Sequence, residues 1–185
     1  MASLTTPFCD FDALAIDFDL KDTSGKSWTL SEAKGEKGTL IAFICNHCPY
    51  VKAILPRLIR DIDELRSLGI KTVAIMSNDP SDYPEDGPEN MKKIAEDLAF
   101  PFPYLLDESQ TIAKAYGAIC TPDFFGYNSD LKLQYRGRFD ESRKETAPKG
   151  VERDLFNAMK LISETGKGPK DQIPSIGCSI KWKAT

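Results

Sequence analysis

The distribution of apolar and polar residues along the chain predicts alternating strands and helices. Residues 39–44 and 71–76 are short, largely apolar runs, which is typical of strands buried on both faces of a sheet. Between them, apolar residues recur at spacings of three and four and predict a long helix with one buried face. These residues are Val51, Ile54, Leu55, Leu58, Ile59, Ile62, Leu65 and Leu68. A strand, a helix and a second strand in this order predict a parallel βαβ unit with a right-handed crossover.

Shorter elements are predicted on both sides of this unit. Alternating residues around Thr23-Ser24-Gly25 predict a small β-hairpin before the main fold. After the second strand, the pattern predicts a helix over residues 89–98, a short strand in "FPYLLD", a helix ended by Gly117, a hairpin turned at Asn128-Ser129-Asp130 and a last helix around residues 155–162. We therefore expect one α/β domain over residues 1–185, with a core over about 10–165 and a tail over 166–185 that has no periodicity of its own.

Composition limits the class of protein. At 185 residues and 41% hydrophobic content, the chain can bury a full core without disulfides or metals. Its 24 basic and 28 acidic residues give a net charge of −4, and the basic residues are scattered, so nucleic acid is not an expected partner. No apolar run approaches the length of about 18 residues that a membrane span needs, and the N-terminus lacks a basic region before an apolar stretch. We expect a cytoplasmic protein with no membrane partner.

A loop rich in turn-forming residues follows the second strand and is strongly acidic. It contains Asp79, Asp82, Glu85 and Asp86. A calcium-binding EF-hand loop beginning at Asp82 would place Lys93 at its twelfth position, where a bidentate glutamate is needed. We interpret this segment as a solvated loop.

The candidate chemistry lies directly after the first predicted core strand. There the chain reads Cys45-Asn46-His47-Cys48, and His47 is its only histidine. The chain has five cysteines, an odd number that cannot form a complete structural disulfide framework. In a reducing cytosol, a close pair of cysteines is more often redox-active or metal-binding than structural.

The order of elements and motifs resembles the thioredoxin fold. Cys45 and Cys48 match its redox pair, and Thr121-Pro122 matches the Thr-Pro, with a cis peptide, that faces the pair. The N-terminal hairpin and the loop beginning "SNDP" resemble the alkyl hydroperoxide reductase / thiol-specific antioxidant branch of that superfamily, and the tail "PSIGCSIKWK" is similar to that of bacterial peroxiredoxin-like proteins. The resemblance covers about residues 10–165 and implies a three-layer α/β/α structure with a mixed central sheet and an N-terminal β-hairpin extension.

This resemblance implies a thiol-disulfide oxidoreductase in which Cys45 attacks, Cys48 resolves and Pro122 shapes substrate docking. We place Cys45 at the start of the long helix, where the helix dipole and free N–H groups would lower its pKa below about 8.5. His47 is expected to stabilise the Cys45 thiolate. No cofactor is needed; the expected partners are protein or small-molecule disulfides and an electron-donating thiol system.

Two alternatives to this function remain open at this stage. In a peroxiredoxin-like thiol peroxidase, which reduces hydroperoxides, alignment on the following proline would make Cys48 the peroxidatic cysteine. Cys45 would then stand where peroxiredoxins have threonine, and Thr121 near the position of their arginine. Arg136 and Arg138 are interpreted as surface charges.

The second alternative is a non-catalytic domain that binds a metal or another protein. Cys45, His47, Cys48 and Cys178 are soft ligands, but the chain has no second Cys-x-x-Cys and no distal histidine, so no metal site is predicted.

The remaining cysteines have less defined roles. Cys120 precedes the Thr-Pro motif, where a small buried side chain is the favoured interpretation and a third exchanging thiol the alternative. Cys178, in the tail, resolves a mixed disulfide only if the tail folds back onto the active site. Cys9 lies near the N-terminus and receives no role.

Overall fold

A seven-stranded mixed sheet lies at the centre of the molecule, which a computed structural model describes over residues 2–184. A second sheet has three strands. The strands are β1 (Ser3–Thr5), β2 (Asp19–Asp22), β3 (Ser27–Thr29), β4 (Gly38–Phe43), β5 (Ile70–Met76), β6 (Tyr104–Leu106), β7 (Cys120–Thr121), β8 (Asp123–Asn128), β9 (Leu133–Tyr135) and β10 (Ile176–Ser179). The helices are α1 (Leu30–Ala33), α2 (Pro49–Ser67), α3 (Pro88–Asp97), α4 (Thr111–Tyr116) and α5 (Asp154–Thr165). None of them, within residues 2–184, is long and apolar enough to cross a membrane.

The predicted βαβ unit is present at the middle of the large sheet. Strands β4 and β5 are parallel, with Ile41 opposite Val73, and α2 connects them. Every residue of β4 is buried, because helices cover both faces of the sheet. The order of the strands is β3-β2-β6-β5-β4-β8-β9. Cys45 and Cys48 follow β4, so this segment leaves the sheet at its centre.

Helices on the two faces of the sheet create the three layers that the thioredoxin fold requires. Successive side chains of β4 point to opposite faces. Leu40 and Ala42 pack in one apolar cluster with residues of α2 and α5, and Ile41 and Phe43 pack in a second cluster with residues of α1 and α4. The predicted fold class is confirmed.

Both predicted hairpins are confirmed. Strands β2 and β3 pair around the turn at Gly25, whose φ of +88° lies in the left-handed region that favours glycine. Strand β2 also pairs with β6, so the N-terminal hairpin extends the large sheet. Strands β8 and β9 form the second hairpin.

The tail contributes a strand that the sequence pattern did not indicate. Strand β10 lies between β1 and β7 and is antiparallel to both. Gly177 permits this close pairing, because a Cβ atom at that position would lie 2.1 Å from the carbonyl oxygen of Thr121. A four-residue strand has too few positions to show alternation, and its pairing partners lie far away in sequence.

Candidate active site

The start of α2 sets the environment of the two cysteines. The helix begins at Pro49, and Cys48 is its N-cap residue. Proline suits the first helical position because its missing N–H would have no partner there. Cys48, not Cys45, therefore occupies the helix N-terminus, which corrects the expectation from the sequence.

The Thr121-Pro122 peptide bond is cis, as predicted. The hydroxyl and carbonyl oxygens of Thr121 both lie against the cysteines. The hydroxyl Oγ1 lies 3.2 Å from Cys45 Sγ, and the carbonyl oxygen lies 3.1 Å from Cys48 Sγ. Thr121 thus contacts both sulfur atoms of the pair.

The third cysteine in contact with this pair is Cys178. Its Sγ lies 2.9 Å from Cys48 Sγ. Strand β10 holds Cys178 opposite Thr121 of β7. All three thiols are almost completely shielded, with exposed fractions of 1% for Cys45, 0% for Cys48 and 3% for Cys178. The tail does fold back onto the active site, as a resolving role for Cys178 requires.

The surroundings assign different protonation states to the two cysteines of the pair. A hydrogen bond from the Cys45 thiol is the largest cause that lowers the pKa of Cys48 to about 5, and burial opposes this change. Hydrogen bonds donated by the Cys178 thiol and the Val51 N–H lower the pKa further. The same hydrogen bond to Cys48, together with burial and the negative charge of Asp86, raises the pKa of Cys45 well above its ordinary value. The surroundings therefore favour the thiolate form at Cys48 and the protonated thiol at Cys45. This assignment reverses the expectation from the sequence.

Asp86 anchors the segment between the two cysteines. One of its oxygens accepts hydrogen bonds from the backbone N–H groups of Asn46 and His47 at 2.8 and 3.1 Å. The other lies 2.5 Å from His47 Nδ1 and accepts from the Asn78 amide at 2.9 Å. Asp86 is fully buried. The interpretation of this acidic segment as entirely solvated is wrong for Asp86, which the sequence reasoning missed.

His47 is a buried member of the site. Its exposed fraction is 7%, which excludes a surface position at the helix start. The ring stacks on Tyr83 with centroids 4.0 Å apart, and Nδ1 lies 3.7 Å from Cys45 Sγ. Because the same nitrogen binds Asp86, His47 connects the carboxylate to Cys45.

Comparison with known proteins places this site in a family. The model of the AhpC/TSA family matches residues 12–139, which include both cysteines, His47, Asp86 and the cis proline. The chain belongs to the AhpC/TSA family. This membership supports a redox function of its thiols. None of the curated proteins compared with the chain matches it.

Solved structures share the fold of this chain. This AhpC/TSA protein is 44% identical to an uncharacterized conserved protein from Geobacillus kaustophilus, with a TM-score of 0.94 and coverage of 100% of this chain and 98% of that one. It is 37% identical to a hypothetical protein from Sinorhizobium meliloti 1021, with a TM-score of 0.91 and 100% of both chains covered. The thioredoxin domain of a thiol-disulfide oxidoreductase from Bacteroides vulgatus shares the fold, at 17% identity, a TM-score of 0.61 and coverage of 83% and 97%.

Two arginines of this AhpC/TSA protein form ion pairs with carboxylates near the site. Arg136 is buried and pairs with Asp123 at 2.9 Å, so its interpretation as a surface charge is wrong. Burial raises the pKa of Asp123 to about 6, against the opposing effect of Arg136. Arg138 is partly exposed and pairs with Asp154 at 2.6 Å.

The AhpC/TSA site also contains a set of atoms that could hold a metal ion. Ligand atoms of Cys45, His47 and Asp86 lie within 4.8 Å of one another. However, His47 Nδ1 and Asp86 already satisfy each other by a hydrogen bond. A metal at this place would have to break that bond.

The two other cysteines lie outside the thiol cluster formed by Cys45, Cys48 and Cys178. Cys120 is fully buried, and its Sγ lies 3.8 Å from the Pro122 carbonyl oxygen. Burial raises its pKa, so it remains a protonated thiol. Burial likewise raises the pKa of Cys9 to about 11. These environments agree with Cys120 as a small buried side chain.

Proposed function

We propose that this AhpC/TSA protein is a thiol-disulfide oxidoreductase that uses Cys45 and Cys48 as a redox-active dithiol. The observation that carries the proposal is the thiolate environment of Cys48, at the N-cap of α2 and with the Cys45 thiol as hydrogen-bond donor. The thiolate is the nucleophile in disulfide exchange, and a helix N-terminus favours it. The substrates are protein or small-molecule disulfides in the cytoplasm, and a cellular thiol system supplies electrons.

The proposed reaction begins with attack by the Cys48 thiolate on one sulfur of a substrate disulfide. A bond forms between Cys48 and that sulfur, and the other substrate sulfur leaves with the electron pair. Cys45 then attacks Cys48 in the mixed disulfide, which releases the second substrate thiolate and leaves a Cys45–Cys48 disulfide. Two electrons have moved from the dithiol to the substrate.

The second step needs deprotonation of Cys45, and the site offers a route. The hydrogen bond to the Cys48 thiolate is the largest cause of the raised pKa of Cys45. It disappears when Cys48 enters the mixed disulfide. The proton of Cys45 passes to the substrate thiolate that leaves Cys48. His47 Nδ1, which Asp86 orients, lies 3.7 Å from Cys45 Sγ, so its N–H stabilises the Cys45 thiolate as it forms. His47→Ala is therefore expected to slow resolution of the mixed disulfide more than its formation.

Reduction of a protein disulfide with dithiothreitol as electron donor tests this function. We expect Cys48→Ser to abolish turnover, and the double variant Cys45→Ser/Cys178→Ser, which lacks both neighbouring thiols, to accumulate a mixed disulfide between Cys48 and the substrate. Cys9→Ser, which changes a cysteine outside the thiol cluster, is the matched control and should keep full activity. Turnover that persists in Cys48→Ser would overturn the proposal.

Thiol peroxidase activity is the second candidate, and the same Cys48 thiolate favours it. Attack on a hydroperoxide would transfer one oxygen to Cys48 as sulfenic acid and release water or an alcohol; condensation with the Cys45 thiol would then release water and form the disulfide. The ion pairs of Arg136 and Arg138 oppose this alternative, because both guanidinium groups already bind carboxylates. Peroxide consumption, measured beside disulfide reduction with the same variants, decides between the two reactions.

A further inference from the structure

We propose that Cys178 is a third redox thiol, which takes over the disulfide from Cys45 and forms a Cys48–Cys178 bond. This inference rests on the proposed dithiol function. Its first support is distance: Cys178 Sγ lies 2.9 Å from Cys48 Sγ, less than about 1 Å longer than the disulfide bond length of about 2.05 Å.

The backbone of the tail builds this contact on both sides of Cys178. Before it, the Ser175 hydroxyl donates to the Pro122 carbonyl at 2.9 Å. After it, the Ile180 N–H donates to the Ile119 carbonyl at 3.0 Å. Strand β10 is also paired with β1 and β7. The sulfur of Cys178 is thus held against Cys48 by a sheet, rather than by the orientation of one side chain.

Gly177 is a further sign that the position of β10 is specified. A Cβ atom there would lie 2.1 Å from the carbonyl oxygen of Thr121, the same oxygen that faces Cys48 Sγ. Only glycine permits β10 to approach the cis-proline segment this closely. The residue beside Cys178 is therefore the one that allows the sulfur-to-sulfur contact.

The exchange balances without any external oxidant beyond the disulfide substrate. After turnover, the protein holds a Cys45–Cys48 disulfide. The Cys178 thiolate attacks Cys48, the Cys48–Cys178 bond forms, and the Cys45–Cys48 bond breaks with its electron pair on Cys45. The proton lost by Cys178 is returned to Cys45. The number of disulfides and electrons is unchanged, and the oxidised state moves from the helix start to the tail strand.

Because Cys45 and Cys48 are buried, Cys178 is the thiol that can exchange most readily with their disulfide. Cys45 and Cys48 have exposed fractions of 1% and 0%, so an external thiol can reach them only after part of the structure opens. Cys178 needs no such opening. Before oxidation, burial and its hydrogen bond to Cys48 raise the pKa of Cys178 to about 12. The contribution of the Cys48 thiolate disappears once that thiolate is part of a disulfide.

Disulfide mapping after oxidation tests the inference. The full-length protein is oxidised with excess oxidised glutathione, free thiols are blocked with N-ethylmaleimide, and tryptic peptides are analysed by mass spectrometry. Trypsin releases Cys45 and Cys48 on peptide 38–52, Cys178 alone on 171–181 and Cys120 alone on 115–132. We expect a cross-link between 38–52 and 171–181 in the wild-type protein.

Variants assign the cross-link to a pair of sulfur atoms. In Cys45→Ser the cross-linked form should exceed the glutathione adduct at Cys48 by at least ~10-fold, because an oriented neighbouring thiol has a very high effective concentration. Cys48→Ser and Cys178→Ser should both lose the cross-link. If Cys178→Ser does not fold, Cys178→Ala is used in its place. Cys120→Ser, the matched control on the neighbouring strand, should keep it.

Failure of this inference is distinguishable from failure of the proposed function. If folded Cys45→Ser gives only the glutathione adduct at Cys48, Cys178 is not a redox thiol, even if the wild-type protein still reduces disulfides. If the cross-link forms but neither cysteine of the pair is needed for disulfide reduction, the proposed function fails and the Cys48–Cys178 bond stands.

Discussion

Removal of the Cys45 thiol should raise the pKa of Cys48. In the native protein, this pKa is lowered from 9.0 to about 5, with the hydrogen bond from Cys45 as the largest cause. A lowered pKa means that the folded protein stabilises the thiolate form of Cys48. Several donors share this stabilisation, so loss of one should remove part of it.

The expected size follows from the strength of one hydrogen bond to a charged group. Such a bond contributes about 1.5–3 kcal/mol, so Cys45→Ala should raise the pKa of Cys48 by about 1–2 pH units. Cys178→Ala should raise it less, because the Cys178 thiol contributes less than Cys45 to the lowered pKa. Cys120→Ala should leave it unchanged, because the Cys120 thiol faces the Pro122 carbonyl oxygen instead of Cys48.

The assay is the ultraviolet absorbance of the thiolate, titrated against pH in the reduced protein. The native protein should show a transition near pH 5 that is absent in Cys48→Ala. In Cys45→Ala the transition should remain but move to higher pH. If the transition near pH 5 persists in Cys48→Ala and vanishes in Cys45→Ala, Cys45 is the thiolate and the assignment is inverted.

Three further outcomes are expected. Asp86→Ala should lower the free energy of unfolding by about 3 kcal/mol in denaturant titrations, because it leaves buried donors unpaired. The control Asp82→Ala, at an exposed position, should change this free energy by less than about 0.5 kcal/mol. Equal effects of the two substitutions would refute a structural role for Asp86. Gly177→Ala should displace β10 and reduce the yield of the Cys48–Cys178 disulfide several-fold, and an unchanged yield would contradict the close approach. Because the pKa of Cys48 is lower in the folded protein, the Cys48 thiolate should increase the free energy of unfolding relative to Cys48→Ala. This increase should be complete above pH 9.0 and decline as the pH falls to about 5. A difference in unfolding free energy that does not depend on pH would refute the thiolate assignment.

The sequence by itself determined the framework of the fold. The apolar runs and the three-and-four spacing around Val51–Leu68 mark β4, α2 and β5 to within two residues of their observed ends. These patterns are local, since a buried strand or an amphipathic helix repeats its apolar positions within a few residues. The resemblance carried by Cys45, Cys48 and Thr121-Pro122 also indicated the cis peptide that the structure contains.

The tertiary structure alone decided the chemistry of the thiols. Which cysteine has the lower pKa depends on the residue at which α2 begins, because the helix N-terminus and the Cys45 donor both act on Cys48. Asp86 reaches His47 from 39 positions away, and Cys178 reaches Cys48 from 130 positions away. Neither contact leaves a periodic pattern in the sequence. Such contacts form only when the sheet and its surrounding loops bring distant segments together, so their effects on burial, hydrogen bonding and pKa exist only in the folded chain.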